Sequence, residues 1–266
     1  MAGDTYTHGH QDAVLRSHRW RTAQNSAAYL LPYLAPGQWL LDVGCGPGTL
    51  TVDLARIVTP GRVVGVDLAA QVLDEARVHA TGAGVTDARF LAGDFRDAMR
   101  RRGCFDVVHA HQVLQHLRDP VGALAAMAGL AVPGGIVAAR DGDYSAFTWW
   151  PAQPGVERWL ELYLAVARHN GGEPDAGRHL LHWARAAGLD ATYTSSTWTF
   201  ATPADRRWWA ELWAERSVSS SFADQAVAYG IAEREELRDV AAGWRAWAEH
   251  ADGVFVVPHG EIIARV

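Results

Sequence analysis

From Gln38 onward, short apolar runs alternate with stretches whose apolar residues recur at helical spacing. Trp39–Val43, Arg62–Val66, Ala88–Leu91, Phe105–Ala110 and Gly135–Arg140 read as buried strands. Between them Thr49–Val58, Ala70–Thr81 and Pro120–Ala131 read as helices, the last stopped by Pro133-Gly134-Gly135. This alternation predicts an α/β fold, a Rossmann-like doubly wound sheet with helices on both faces. Ahead of it, Asp12–Leu34 reads as helical, with Val14, Leu15, Ala27, Ala28, Leu30 and Leu31 set among polar residues that include Arg16, Arg19 and Arg21.

After Arg140 the alternation breaks. Gly155–His169, Pro174–Ala187, Pro203–Ser217 and Ala232–His250 read as helices, and Asp190–Phe200 and Val254–Val266 are the remaining strands. A helical insertion of about fifty residues is therefore expected before the last strand. The organisation expected is an N-terminal helical lid at 1–35, a Rossmann-like core at 36–145, and a segment, 146–266, that completes the core sheet and adds a helical cap. Ten of the twelve tryptophans fall between Trp149 and Trp247, where they either pack the cap or line a pocket for an apolar ligand.

Composition narrows the chemistry. With 266 residues, 49% hydrophobic and 20% charged, the chain can bury a sizeable core. A net charge of −6 argues against a nucleic-acid partner, since phosphate binding needs a basic surface. The one basic run, Arg100-Arg101-Arg102, is equally well read as a solvated loop. No apolar stretch approaches the ~20 residues that span a bilayer, and the first residues lack a signal-peptide core, so no membrane partner and a cytoplasmic location are expected. Cys45 and Cys104 form no CxxC pair. Lysine is absent, which excludes Schiff-base chemistry and a P-loop.

The strongest chemical signal is Leu40-Leu41-Asp42-Val43-Gly44-Cys45-Gly46-Pro47-Gly48, an apolar strand entering a glycine-rich turn before a helix. Side chains there would block a ligand from the backbone and the helix N-terminus. Val63-Val64-Gly65-Val66 then ends in Asp67, about 20 residues beyond the glycines, where an acid can hold both hydroxyls of a ribose. A dinucleotide fingerprint read from Gly44 requires a small residue at position 49, which is Thr49. The spacing therefore favours a nucleoside without a pyrophosphate.

The run LDVGCGPG, Asp67, Gly93-Asp94-Phe95 and FDVVHAHQVLQHLRDP from Phe105 to Pro120 resemble the successive motifs of class I S-adenosylmethionine (SAM)-dependent methyltransferases, near their quinone-methylating branch. The resemblance covers about residues 38–142 and implies a sheet whose last strand is antiparallel, formed here by Val254–Val266. It implies SAM as cofactor, converted to S-adenosylhomocysteine, with no metal. Asp42, Gly44, Cys45, Gly46 and Gly48 would surround the methionine portion and Asp67 with Leu68 the ribose. Asp94 and Phe95 would flank the adenine, with Ala110 at the pocket mouth.

Acceptor-side candidates come from three segments. In the HxH run, His109 and His111 share a strand face, but no third metal ligand is at hand; His111 is a candidate base, a substrate contact or a structural histidine. The N-terminal Tyr6-Thr7-His8-Gly9-His10 and Val14–Thr22 form either a packing helix or a lid in which Arg21 or Asn25 meets the SAM carboxylate and Tyr6 faces the acceptor. Ala139-Arg140-Asp141-Gly142-Asp143-Tyr144 follows the fifth strand at its C-terminal edge, where ligands of open α/β sheets bind. Asp141 and Tyr144 are the preferred catalytic candidates there, Arg140, Trp149 and Trp150 substrate contacts, and Asp143 a solvated turn.

The segments YTHGH, VLRSHRWRTA and ARDGDYSAFTWWP are similar to thiol methyltransferases that cap dithiol natural products. The resemblance implies S-methylation of a small-molecule acceptor, and a thiol of pKa near 8.5 needs only a weak base. A phenol or quinone acceptor, methylated at oxygen or carbon, fits the same pattern. So does a SAM-binding protein without catalysis.

Overall fold

The computed structural model describes residues 6–8, 12–98 and 103–266. Five parallel strands form the centre: β1 (Trp39–Val43), β2 (Arg62–Asp67), β3 (Ala88–Ala92), β4 (Phe105–His111) and β5 (Ala131–Gly142). A short β6 (Thr148–Trp150), β7 (Ala191–Phe200) and β8 (Val254–Arg265) complete the sheet, in the order β3-β2-β1-β4-β5-β8-β6 with β7 also paired to β8. β8 runs antiparallel to β5, β6 and β7, giving the antiparallel last strand that was expected.

Two faces follow from the period-2 alternation of strand side chains. Leu40, Val63, Val107 and Ile136 pack with Leu50, Leu54 and Val58 of α3 (Thr49–Val58) and with Ala23 of α2 (Ala23–Ser26). Leu41, Val43, Val108 and Val137 face α6 (Pro120–Leu130) and α8 (Ala176–Ala186), including Met127 and Leu180. On β3's side, α4 (Ala70–Gly82) buries Val72, Leu73 and Ala76, and a short α5 (Phe95–Ala98) follows β3.

Asp12–Leu34 is not one helix. α1 (Asp12–Arg19) stops at Trp20, and α2 starts only after Thr22, whose hydroxyl accepts from the amide of Asn25 while the Asn25 side chain takes the Thr22 amide. This reciprocal cap fixes a new N-terminus at that point. Near the end of the stretch Leu31–Tyr33, with Pro32 at its centre, forms a 3₁₀ turn.

The cap comprises α7 (Pro154–His169), α9 (Pro203–Ser219), α10 (Ser221–Ala228) and α11 (Arg234–Ala248). Sequence reasoning missed α10, because Ser219-Ser220-Ser221 has the composition of a linker; Ser220 is instead its N-cap and accepts from the amide of Ala223. It also missed β6, whose three pairs with β8 have no register signal of their own. Trp159, Trp244 and Trp247 are fully buried in the cap. Residues 100–102 and 9–10, named above, lie outside the described residues.

Candidate active site

The ends of the parallel strands open on a cleft where the strand order reverses between β1 and β4, the place at which such sheets bind ligands. Its floor is the glycine turn after β1. Gly44, Gly46 and Gly48 all hold φ between +53° and +78°, the left-handed region that glycine alone enters at low cost. At Gly44 a Cβ would collide with the Val113 side chain, so the close packing of this turn under the pocket wall depends on a missing side chain. The amides of Gly44 and Cys45 both donate to the carbonyl of Val66, joining the turn to the end of β2.

Asp67, at that strand end, lies in the cleft wall with Oδ2 accepting from the Gly46 amide (2.9 Å) and Oδ1 from the Ala69 amide (2.9 Å). Asp42 is buried beneath, taking the Thr51 hydroxyl (2.6 Å) and Nδ1 of His109 (3.0 Å). Nδ1 of His109 thus orients Asp42, and Nε2 of His111 meets Arg140. Cys45, Gly46, Leu68, Asp94 and Phe95 also line the cleft. Gly48 and Ala110 do not: Gly48 begins α3 against Ala76, and Ala110 is buried in the sheet.

Arg21 reaches the cleft from the turn between α1 and α2, donating to Oε1 of Gln112 (2.8 Å), while its buried Nε has no hydrogen-bond partner. Gln112 is the one non-glycine residue with positive φ among those described, +53°, and its amide Nε2 meets Nε2 of His259 (2.9 Å). Asn25 does not reach the cleft. Its side-chain Oδ1 takes the Thr22 amide and its Nδ2 donates to the carbonyl of Trp20 (3.0 Å), so it shapes the turn that presents Arg21.

A second, smaller chamber lies between this cleft and the cap. Tyr6, His18, Arg21, Gln112 and His116 line both spaces and form the partition between them. Tyr144, His8, Trp198, Trp209, Trp213 and Arg216 close the far side. The hydroxyls of Tyr163 (2.9 Å) and Tyr144 (3.4 Å) both meet Nε2 of His8. Burial, with nearby Arg21, holds the His116 pKa near 3. Burial pushes the Tyr6 phenol well up.

His111 touches the cleft, but Nε2 accepts from Arg140 (2.9 Å) and Nδ1, which then carries the proton, has no partner. Burial and the flanking Arg21 and Arg140 drive its pKa well down. In this arrangement it is a neutral donor whose basic nitrogen is already engaged. Arg140 is buried in an ion pair with Glu261 (3.1 Å) and lines neither space. Asp141 likewise sits behind the 3₁₀ turn Leu114–His116, accepting from the Gln115 amide (3.2 Å), its pKa raised to about 7 by desolvation. Asp143, expected as a solvated turn, is buried and takes Nε of Arg178 (2.7 Å). Trp149 stacks on Phe255 and Trp150 is exposed on the sheet edge, both away from the chamber.

Sequence reasoning therefore missed Gln112, His18 and Arg216 as wall residues. Gln112 carried a signal in its place immediately after β4, at the sheet's C-terminal edge. Arg216 carried none.

A model of a methyltransferase domain family matches residues 35–188. An uncharacterized methyltransferase of Schizosaccharomyces pombe is 32% identical over 97% of this chain and 95% of its own length. A ubiquinone biosynthesis O-methyltransferase of Albidiferax ferrireducens is 32% identical over 71% of this chain and 73% of its own. Among solved structures, the YcgJ protein of Bacillus subtilis superimposes with a TM-score of 0.58 at 15% identity, covering 90% of this chain and 96% of the other.

Proposed function

This chain belongs to the class I SAM-dependent methyltransferases, and from that premise we propose that it methylates a small-molecule acceptor, favouring a thiol or dithiol. The observation that carries the reading is the partition: a nucleoside-sized cleft with Asp67 at its rim shares five wall residues with a chamber of tyrosines, histidines and tryptophans. The cleft suits SAM on two counts. A side chain at Gly44 in its floor would collide with Val113 of its wall, and the orphaned Nε of Arg21 supplies a cation for a carboxylate.

Asp67 would hold the ribose hydroxyls, Asp94 and Phe95 the adenine, and Arg21 the methionine carboxylate. SAM brings a methyl group already activated on a sulfonium, so the protein's task is mainly to hold the acceptor in line at attack distance. Tyr6, His18 and His116 would position the acceptor from the partition, with Tyr144 opposite. His111 and Asp141 drop in rank as bases, the first because Arg140 occupies its lone pair, the second because it reaches neither space.

Similarity to the ubiquinone O-methyltransferase supports a second reading, O-methylation of a phenol. Mass spectrometry of a panel of reduced dithiols, phenols and amines incubated with SAM tests both. Products 14 mass units heavier per methyl on thiols support the first; methylation of phenols alone replaces it with the second. SAM binding with no product would make this a non-catalytic binder.

A further inference from the structure

The chamber beneath the cap holds a charge that none of its walls balances. Arg216 of α9 is 4% exposed, and among the described side chains no carboxylate is ion-paired with it. Its partners are neutral: it donates to the carbonyls of Ala13 (3.3 Å) and Val14 (3.2 Å) and to the hydroxyl of Ser17, and lies over the ring of Trp213 at 4.9 Å. The adjacent acid, Glu215, is paired instead with Arg16. Fully buried arginines ordinarily carry a partner of opposite charge.

The surrounding groups do not supply one. Tyr6, Arg21, Tyr144 and Tyr163 are the ionisable groups that act on Arg216, and the chamber adds His8, His18 and His116. Burial lowers its pKa only to about 10, so it stays cationic near neutrality. A second observation points the same way: the indole N–H groups of Trp209 and Trp213 and Nδ1 of His8, all in chamber walls, are buried without hydrogen-bond partners.

We propose that the acceptor occupies this chamber as an anion, an ionised thiol or phenol whose charge is balanced by Arg216; the proposal rests on the methyltransferase reading of the adjoining cleft. On entry the acceptor's S–H or O–H gives its proton to solvent. Its lone pair then forms the bond to the methyl carbon as the methyl–sulfonium bond breaks, that pair staying on sulfur. One anion and one cation become two neutral products, and no proton moves during transfer. A general base is not required, which accords with the engaged nitrogen of His111.

The test reads ionisation directly. Protein saturated with S-adenosylhomocysteine is titrated with 4-nitrophenol and with 4-nitrothiophenol, whose anions absorb in the visible, across a pH series. Wild type should bind at least one as its anion and lower its apparent pKa by about one to three pH units, the effect of an opposite charge in contact. Arg216→Met should abolish that lowering, and Arg216→Lys should restore part of it although lysine cannot rebuild the bonds to Ala13, Val14 and Ser17. Calorimetry with S-adenosylhomocysteine identifies which variants are folded, and Arg216→Gln replaces Arg216→Met where the latter is not. Binding of only neutral forms, no binding of either probe to saturated wild type, or an undiminished shift in the folded Met or Gln variant overturns the proposal. Absence of S-adenosylhomocysteine binding by wild type overturns the underlying reading with it.

Discussion

The cleft and the chamber share a wall but differ in charge. The cleft is lined by three carboxylates, Asp42, Asp67 and Asp94, and by Arg21 and Arg96; the chamber is lined by tyrosines, histidines and two arginines, Arg21 and Arg216, with no carboxylate among its described walls. They also differ in origin. Asp42 and the glycines are close in sequence and Asp67 ends the next strand, whereas the chamber joins Tyr6 to Val257 through seven segments. On the proposed reading, donor and acceptor would be recognised by separate devices, one built into strand ends and one assembled by the cap.

The contrast depends first on Asp141, the acid behind the chamber's Leu114–His116 turn, keeping its proton up to about pH 7. Its folded pKa, about 7, lies above the value for an unfolded aspartate. Between these two values the native state holds a proton that the unfolded chain has released, so its contribution is a loss of stability as pH rises from about 4 to 7. Thermal or urea unfolding should show Asp141→Asn gaining on wild type over that range by up to about 4 kcal/mol, at 1.36 kcal/mol per pH unit. A constant difference from pH 4 to 8 would place a charged carboxylate beside the chamber and break the comparison.

Asp67→Ala should weaken SAM binding in calorimetry by about 100-fold, since it removes two charge-assisted hydrogen bonds. Unchanged affinity would mean that the acid-lined side does not hold the ribose. Tyr144→Phe should act on the other side only, lowering acceptor kcat/KM by about tenfold while SAM affinity stays put. A matching loss of SAM affinity would show that the two sides are not separable. The smallest effect belongs to Asn25→Ala: about 1 kcal/mol of stability lost with the helix cap, measured by thermal melting, and SAM affinity little altered, because Asn25 touches neither space.

How much could be read without coordinates follows the same division. The strand–turn–strand signal located Asp42, the glycine turn and Asp67, because a local backbone requirement leaves a local trace. Asn25 was misplaced since an amide near a helix start serves a cap as readily as a ligand, and Thr22, three residues earlier, was the available clue. Trp149 and Trp150 were chosen for their neighbourhood in the chain, yet the pairing of β6 with β8 turns them to a sheet edge. Arg216 was illegible: within α9 it reads as one more charged residue beside Arg206, Arg207, Glu211 and Glu215. Only the approach of α1, which lays the Ala13 and Val14 carbonyls against it, shows it to be buried.

The distribution of indoles gives the molecule a built-in optical reporter. Trp198, Trp209 and Trp213 line the acceptor chamber, while no tryptophan stands in the described wall of the cofactor cleft. On the proposed reading, a ligand in the chamber would meet these three indoles directly and one in the cleft would not, so stopped-flow emission from the unlabelled protein would follow filling of the chamber.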